Sequence, residues 1–327
     1  MCSAVIVPHQ SEFIALHVSF LTSYEVLSSC FLNVSYSKNY VYNSDNAKNL
    51  LLSKWSKKLV KEFIVKHQLA LFFALTIPIA WFWWGQMVLG LWPTEYIIVP
   101  SSLGGFSPIL VLVILQKISS KGVDLDGIVK SARPSSHHIP YLVLSAFAFP
   151  VLFTLGNLLS FLMGFESQIL LLNPGPAELG WALIAIVPIT FFPGLITSPL
   201  FEETGWRGFA LPKLQAKYGR EVGSLIVGSY WWLWHQMSNI AFAIYPSVLG
   251  YLLTLSQSFG IDSMYNLSKR NLLVAMFAHE SLFIVFTYLY QTDNMLANIV
   301  ILSLIWLFVL MLRLREHSAD IPASLEG

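Results

Sequence analysis

The chain has 327 residues, of which 55% are hydrophobic and only 11% charged, with a mean hydropathy of +0.63 and a formal net charge of +1. Soluble domains carry about a quarter charged residues, so this composition excludes a soluble globular protein and points to a surface that faces lipid, where unpaired charge is costly. A near-neutral chain without a basic stripe is not a binder of phosphate backbone, so no nucleic acid partner is expected, and Cys2 and Cys30 form neither a redox pair nor a zinc spacing.

Residues 1–66 read as an N-terminal segment on the cytoplasmic side. Residues 12–34 are moderately apolar but are interrupted by His17, Glu25 and several serines, and no positive region precedes them, so a signal peptide is not expected. A start downstream of residue 1 is a second expectation for the first fifty residues; Met87 is the next methionine, so it requires a non-Met initiator. Lys54, Lys57, Lys58, Lys61 and Lys66 then lead into the first long apolar run.

Residues 67–315 read as one all-α, polytopic transmembrane bundle and residues 316–327 as a cytoplasmic tail. About eight apolar segments approach the roughly 20 residues needed to cross a bilayer as helix: 68–91, 97–117, 139–164, 179–200, 222–244, 247–261, 271–290 and 296–312. The sixth is the shortest and is expected to be tilted, half-buried or merged with a neighbour. Pro78, Pro108, Pro150, Pro188 and Pro193 predict kinks inside spans. With the N-terminus inside, all 19 Lys and Arg fall in inside loops, whereas the loops near 165–178 and 291–295 carry only acids or neutral residues. Both termini are therefore expected to be cytoplasmic.

Ionisable residues inside such segments need a partner or a task. Glu202 and Glu203 follow the fourth segment in the run Phe201-Glu-Glu-Thr-Gly-Trp-Arg-Gly-Phe209. On a helix Glu203 and Arg207, four apart, share a face and pair, while Glu202 points elsewhere and stays available to take a proton. His235 lies in the fifth segment after Trp231, Trp232 and Trp234, and His279 in the seventh between Phe277 and Phe283. Taken singly, each histidine reads equally well as a hydrogen-bonded core residue. Residues of this kind on three different spans project inward to one polar site.

Glu-Glu-x-x-x-Arg, an aromatic residue four before a histidine, and a third helix with histidine resemble the CPBP intramembrane proteases, relatives of the type II CAAX prenyl endopeptidase. The resemblance implies that Glu202 activates water with help from His235, that His279 stabilises the oxyanion, and that Glu203 and Arg207 support them. It also implies a peptide or lipidated protein substrate, prenylated or bacteriocin-like, met at the membrane lipid of a prokaryotic plasma membrane. Trp231 stands where the family has Phe, and Phe283 where it has Asn or Asp four residues after His279. Asn239, one turn beyond His235, is one candidate for the missing polar group; Ser281 and Glu280 are others, although helical geometry puts them off the face of His279.

No His-Glu-x-x-His zinc motif occurs, and a metal-free glutamate mechanism is expected; the zinc alternative uses Glu202, His235 and His279 as its three ligands. Two other classes compete with the peptidase: a non-catalytic immunity or scaffold protein that keeps the fold, and a proton-coupled transporter, for which no inverted repeat is found.

Overall fold

The computed structural model describes residues 44–118 and 122–320; the expectations for residues 1–43 and for the end of the tail lie outside them. The described residues are helical apart from connecting turns and one isolated bridge between Leu172 and Leu289. In chain order the helices of six or more residues are α1 (Ser44–Val88), α2 (Ile98–Gly105), α3 (Ser107–Ile118), α4 (Leu125–Lys130), α5 (Ile139–Leu162) and α6 (Leu183–Gly194). They continue as α7 (Ser198–Gly205), α8 (Leu211–Tyr218), α9 (Arg220–Ala241), α10 (Val248–Leu267), α11 (Leu272–Tyr288) and α12 (Met295–Asp320).

Every one of the eight predicted segments is built from helix. Lys58–Val88, Ser136–Leu162 and Met295–Ser318 are each long and apolar enough to cross a membrane. Two further crossings are reached only if bent pairs count as one, α2 with α3 at 46° and Gly180–Gly194 with Ser198–Tyr218 at 43°. The remaining three, α9, α10 and α11, have 22, 20 and 17 residues. The first two carry more polar side chains and the third is short, so eight segments are helical but five combine length with hydropathy.

Local chemistry explains the breaks. Pro140, Pro199 and Pro212 sit in the first turn of α5, α7 and α8, where a fixed φ favours the helix and the missing N–H is not needed. Ser247 and Asn271 cap α10 and α11 by accepting from Gly250 and Val274. Gly219, at φ +85°, ends α8 and starts α9. Between α7 and α8 the residues Trp206–Ala210 form a π-turn, an irregularity that often marks functional sites.

The sixth segment is not a fragment. It lies in α10, which continues past residue 261 to Leu267, and every residue from Leu255 to Tyr265 is buried, between α9, α11 and α12. Helix α9 lies between α1 and α10, α11 packs on α5, and α7 is clasped between α3 and α11. Close contact around α7 requires two glycines: a Cβ on Gly205 would come within 2.6 Å of Pro108, and one on Gly208 within 2.4 Å of Ile128 on α4.

The ends of the bundle are chemically distinct. Arg220 reaches Glu316 at 3.2 Å, Leu272 N–H donates to Ser131 at 3.2 Å and Asn271 to the Arg133 carbonyl at 2.9 Å. The lysine- and arginine-bearing loops predicted to share one side thus meet at one end. At the other, Asn173 N–H donates to Tyr288, Asn294 to Phe165, and Thr292 to the Glu166 carboxylate, joining the two loops that lack basic residues.

Candidate active site

Helix α7 delivers both carboxylates to the interior: Glu202 is 3% exposed and Glu203 fully buried. Their separate directions follow from the helical turn between neighbours. Glu202 accepts from the Ser198 hydroxyl on its own helix and from Trp231 Nε1 on α9 at 3.0 Å. Glu203 Oε1 accepts from Arg207 Nη1 at 2.9 Å, the predicted i, i+4 pair, and also from His279 Nδ1 at 2.7 Å.

Arg207 does more than neutralise Glu203. Its Nε donates to Asp262 at 2.8 Å and its Nη2 to the Ser258 hydroxyl at 2.8 Å, and its guanidinium lies 5.3 Å from the centre of the Trp231 ring. All these groups are buried; breaking a buried pair by removing one partner costs about 3–5 kcal/mol.

The two histidines converge on Glu202 from different helices. His279 Nε2 lies 3.9 Å from Glu202 Oε2. The His235 ring is flanked by Trp231, Trp234 and Trp84 at 5.2, 4.6 and 6.3 Å between centroids, and Trp231 also meets His279 at 5.5 Å. His235 is within electrostatic reach of both Glu202 and His279. Its Nδ1 faces the Trp231 carbonyl at 2.9 Å. A carbonyl only accepts, so that nitrogen carries the hydrogen and Nε2 keeps its lone pair. His279 Nδ1 likewise carries a hydrogen, which it donates to the Glu203 carboxylate.

The structure therefore brings Glu202, His279, Glu203 and Arg207 into one contact network, and places His235 beside it through Trp231. Asn239 does not join: among the described residues its side chain hydrogen-bonds to no member of the site. Ser281 donates to the Ala278 carbonyl of its own helix, and the Glu280 carboxyl is seated against Gly194 of α6. Asp262 and Ser258 escaped the sequence reading. The sixth segment was cut at residue 261, and a lone Asp just beyond an apolar run resembles a helix end; a partner was nevertheless demanded by Arg207, which has more donors than Glu203 alone can use.

Zinc finds a poor donor set here. Both Glu202 oxygens already accept hydrogen bonds, and among the described residues no three His, Cys, Asp or Glu side chains are arranged to hold a metal ion.

Residues 184–316, from α6 into α12, match the family model described as type II CAAX prenyl endopeptidase, Rce1-like. The match spans less than half of the chain, and this part is similar to that family. A stretch of 49 residues is 43% identical to the CAAX prenyl protease 2 of Methanococcus maripaludis, covering 15% of this chain and 17% of that relative. The chain thus aligns with less than a fifth of the curated relative. The family match contains every residue of the network just described, whereas α1 to α5, including the Trp84 wall of His235, lie outside it.

Proposed function

We propose that the chain is an intramembrane endopeptidase that hydrolyses a peptide bond with a water activated by Glu202. The observation that carries this reading is the opposition of Glu202 Oε2 and His279 Nε2 across 3.9 Å, in a buried site whose two histidines and second carboxylate are each held by a further group. Arg207 pairs with Glu203 and Asp262, whereas Glu202 has no guanidinium partner among the described residues. The excess negative charge is costly where water is scarce, so a proton taken from water is welcome there.

The roles follow from the hydrogen bonds. Glu202 takes one proton from the water, which His235 orients through Nε2, and the resulting hydroxide attacks the scissile carbonyl. The carbonyl oxygen becomes an oxyanion and receives a hydrogen bond from His279 Nε2, a role that requires hydrogen on both ring nitrogens. Before attack the carboxylates of Glu202 and Glu203 on either side compensate that imidazolium charge; once Glu202 holds the proton, the oxyanion takes its place beside the imidazolium. Collapse of the intermediate breaks the C–N bond as Glu202 returns its proton to the leaving nitrogen.

The substrate class proposed is a peptide held in or delivered to the membrane, with a lipidated or bacteriocin-like segment entering among apolar helices. The basic end of the bundle is assigned to the cytoplasm of a prokaryotic plasma membrane by the positive-inside pattern. Phe283, one turn beyond His279, supports a second reading as a non-catalytic immunity or scaffold protein, because an aromatic ring supplies no hydrogen bond to an oxyanion.

Cleavage of a peptide library by the purified protein separates the two. Wild-type cleavage that resists a chelator and falls by about 10²- to 10⁴-fold in Glu202→Gln is the expected result. A folded wild type that cuts nothing would establish the non-catalytic reading, and activity abolished by chelator and restored by zinc would replace the glutamate mechanism.

A further inference from the structure

The polar network of the site does not end at Arg207. A guanidinium is a planar, rigid fork, so fixing one edge fixes where the others point. Arg207 spreads its fork over three groups: Nη1 donates to Glu203 at 2.9 Å, Nε to Asp262 at 2.8 Å and Nη2 to the Ser258 hydroxyl at 2.8 Å. The first of these shares Glu203 Oε1 with His279 Nδ1, which stands 2.7 Å away. The place of the Asp262 carboxylate on α10 therefore governs where Glu203 and, through it, the His279 ring come to rest.

Asp262 is in turn held from outside its own helix. It is fully buried; Oδ1 takes the Arg207 bond, and Oδ2 has no partner at full hydrogen-bond geometry among the described residues. Besides Arg207, the side-chain donor that faces this carboxylate is the Ser224 hydroxyl of α9. The Ser224 oxygen accepts from Arg313 Nη2 of α12 at 2.8 Å, so its hydrogen is left for the acid. Arg313 is anchored by Glu316, one turn further along α12, at 3.2 Å, and it also acts on Asp262 by charge. A buried carboxylate needs such compensation, and here it comes from two guanidinium groups, one in direct contact and one behind a hydroxyl.

We infer that Asp262, backed by Ser224 and Arg313, is a positioning residue for His279 and sets the imidazole from the basic end of the bundle through Arg207 and Glu203. The contacts run from α11 through α7, α10 and α9 to α12, so the last helix takes part in placing a ring that it does not touch. The inference rests on the role proposed for His279. A donor to the oxyanion is used in the transition state and not in substrate binding, so a displaced ring lowers kcat and leaves KM unchanged.

The test observes the ring and the rate in parallel. The full chain, carrying isotope-labelled histidine in detergent micelles, is followed by NMR through the His279 Nδ1–H resonance, assigned by its loss in His279→Gln. Asp262→Asn keeps the shape of the acid but replaces a charge-assisted bond by a neutral one, and Ser224→Ala removes the hydroxyl. Ser256→Ala, an equal loss on α10 of a hydroxyl bonded only to its own helix, is the control. The resonance should move in Asp262→Asn and Ser224→Ala and stay in place in Ser256→Ala, with kcat falling about tenfold and about threefold in the first two at unchanged KM. The same shifts in a chain that cuts no peptide would support the positioning link and end the peptidase reading. A resonance unmoved in both folded variants, or moved equally by Ser256→Ala, would overturn the inference; if Asp262→Asn does not fold, Ser224→Ala decides alone.

Discussion

Glu203 and Glu280 are both buried carboxylates, 0% and 1% exposed, and each lies beside a proposed catalytic residue in sequence. At the interface of α7 with α10 and α11, Glu203 is tied to Arg207 and His279, and Arg207 in turn to Asp262 and Ser258. At the interface of α6 with α11, Glu280 rests against Gly194, near an apolar cluster of Phe191, Leu195, Met276 and Ile284, and its Oε1 finds no partner among the described residues. Burial of an acid is therefore no guide to its role here; the partners are. One interface spends its polar groups on positioning an imidazole, and the other tolerates an unpaired acid where the helices are otherwise greasy.

Substitutions should separate these interfaces by sign as well as size. The largest effect is expected beside the first: Glu202→Gln abolishes cleavage to within about 10²- to 10⁴-fold, whereas Glu280→Gln leaves the rate within about threefold, read as kcat on a quenched peptide. Arg207→Met leaves Glu203 and Asp262 unpaired and should destabilise the protein by about 3–5 kcal/mol in denaturant unfolding. Glu280→Met, by contrast, removes an unsatisfied acid from apolar surroundings and should stabilise by about 1–3 kcal/mol. A destabilised Glu280→Met would show that this carboxyl has an unrecognised partner and would end the comparison. A smaller loss than that of Glu202→Gln is expected for Trp231→Phe, which keeps the ring between the histidines but removes the Nε1–H bond to Glu202; kcat should fall about tenfold with little change in KM.

Much of this was legible in the residues. Lipid-facing composition and the spacing of apolar runs anticipate helices in all eight places, and the i, i+4 spacing of Glu203 and Arg207 anticipates their pairing. Three features were not legible, each for a geometric reason. Asp262 marks no pattern of its own, because its partner comes from 55 residues away. That His279 Nδ1 bonds Glu203 while its Nε2 faces Glu202 depends on how α7 is rotated by the break at Leu195–Thr197 and by the π-turn after it, and neither angle is written in a hydrophobic period. The failure of Asn239 to join the site is axial: it shares the face of His235 but lies one turn further along α9, in the last turn before the helix ends at Ala241.

The single oxygen Glu203 Oε1 serves both a guanidinium from its own chain segment and an imidazole from α11, and that sharing makes the site a fuse rather than a hinge. The imidazole has no loop of its own on which to drift, since shifting it disturbs Arg207 and, through Arg207, the buried core of α10. Heating should therefore not produce a folded but inactive enzyme; the curve of lost activity should superimpose on the curve of lost helix.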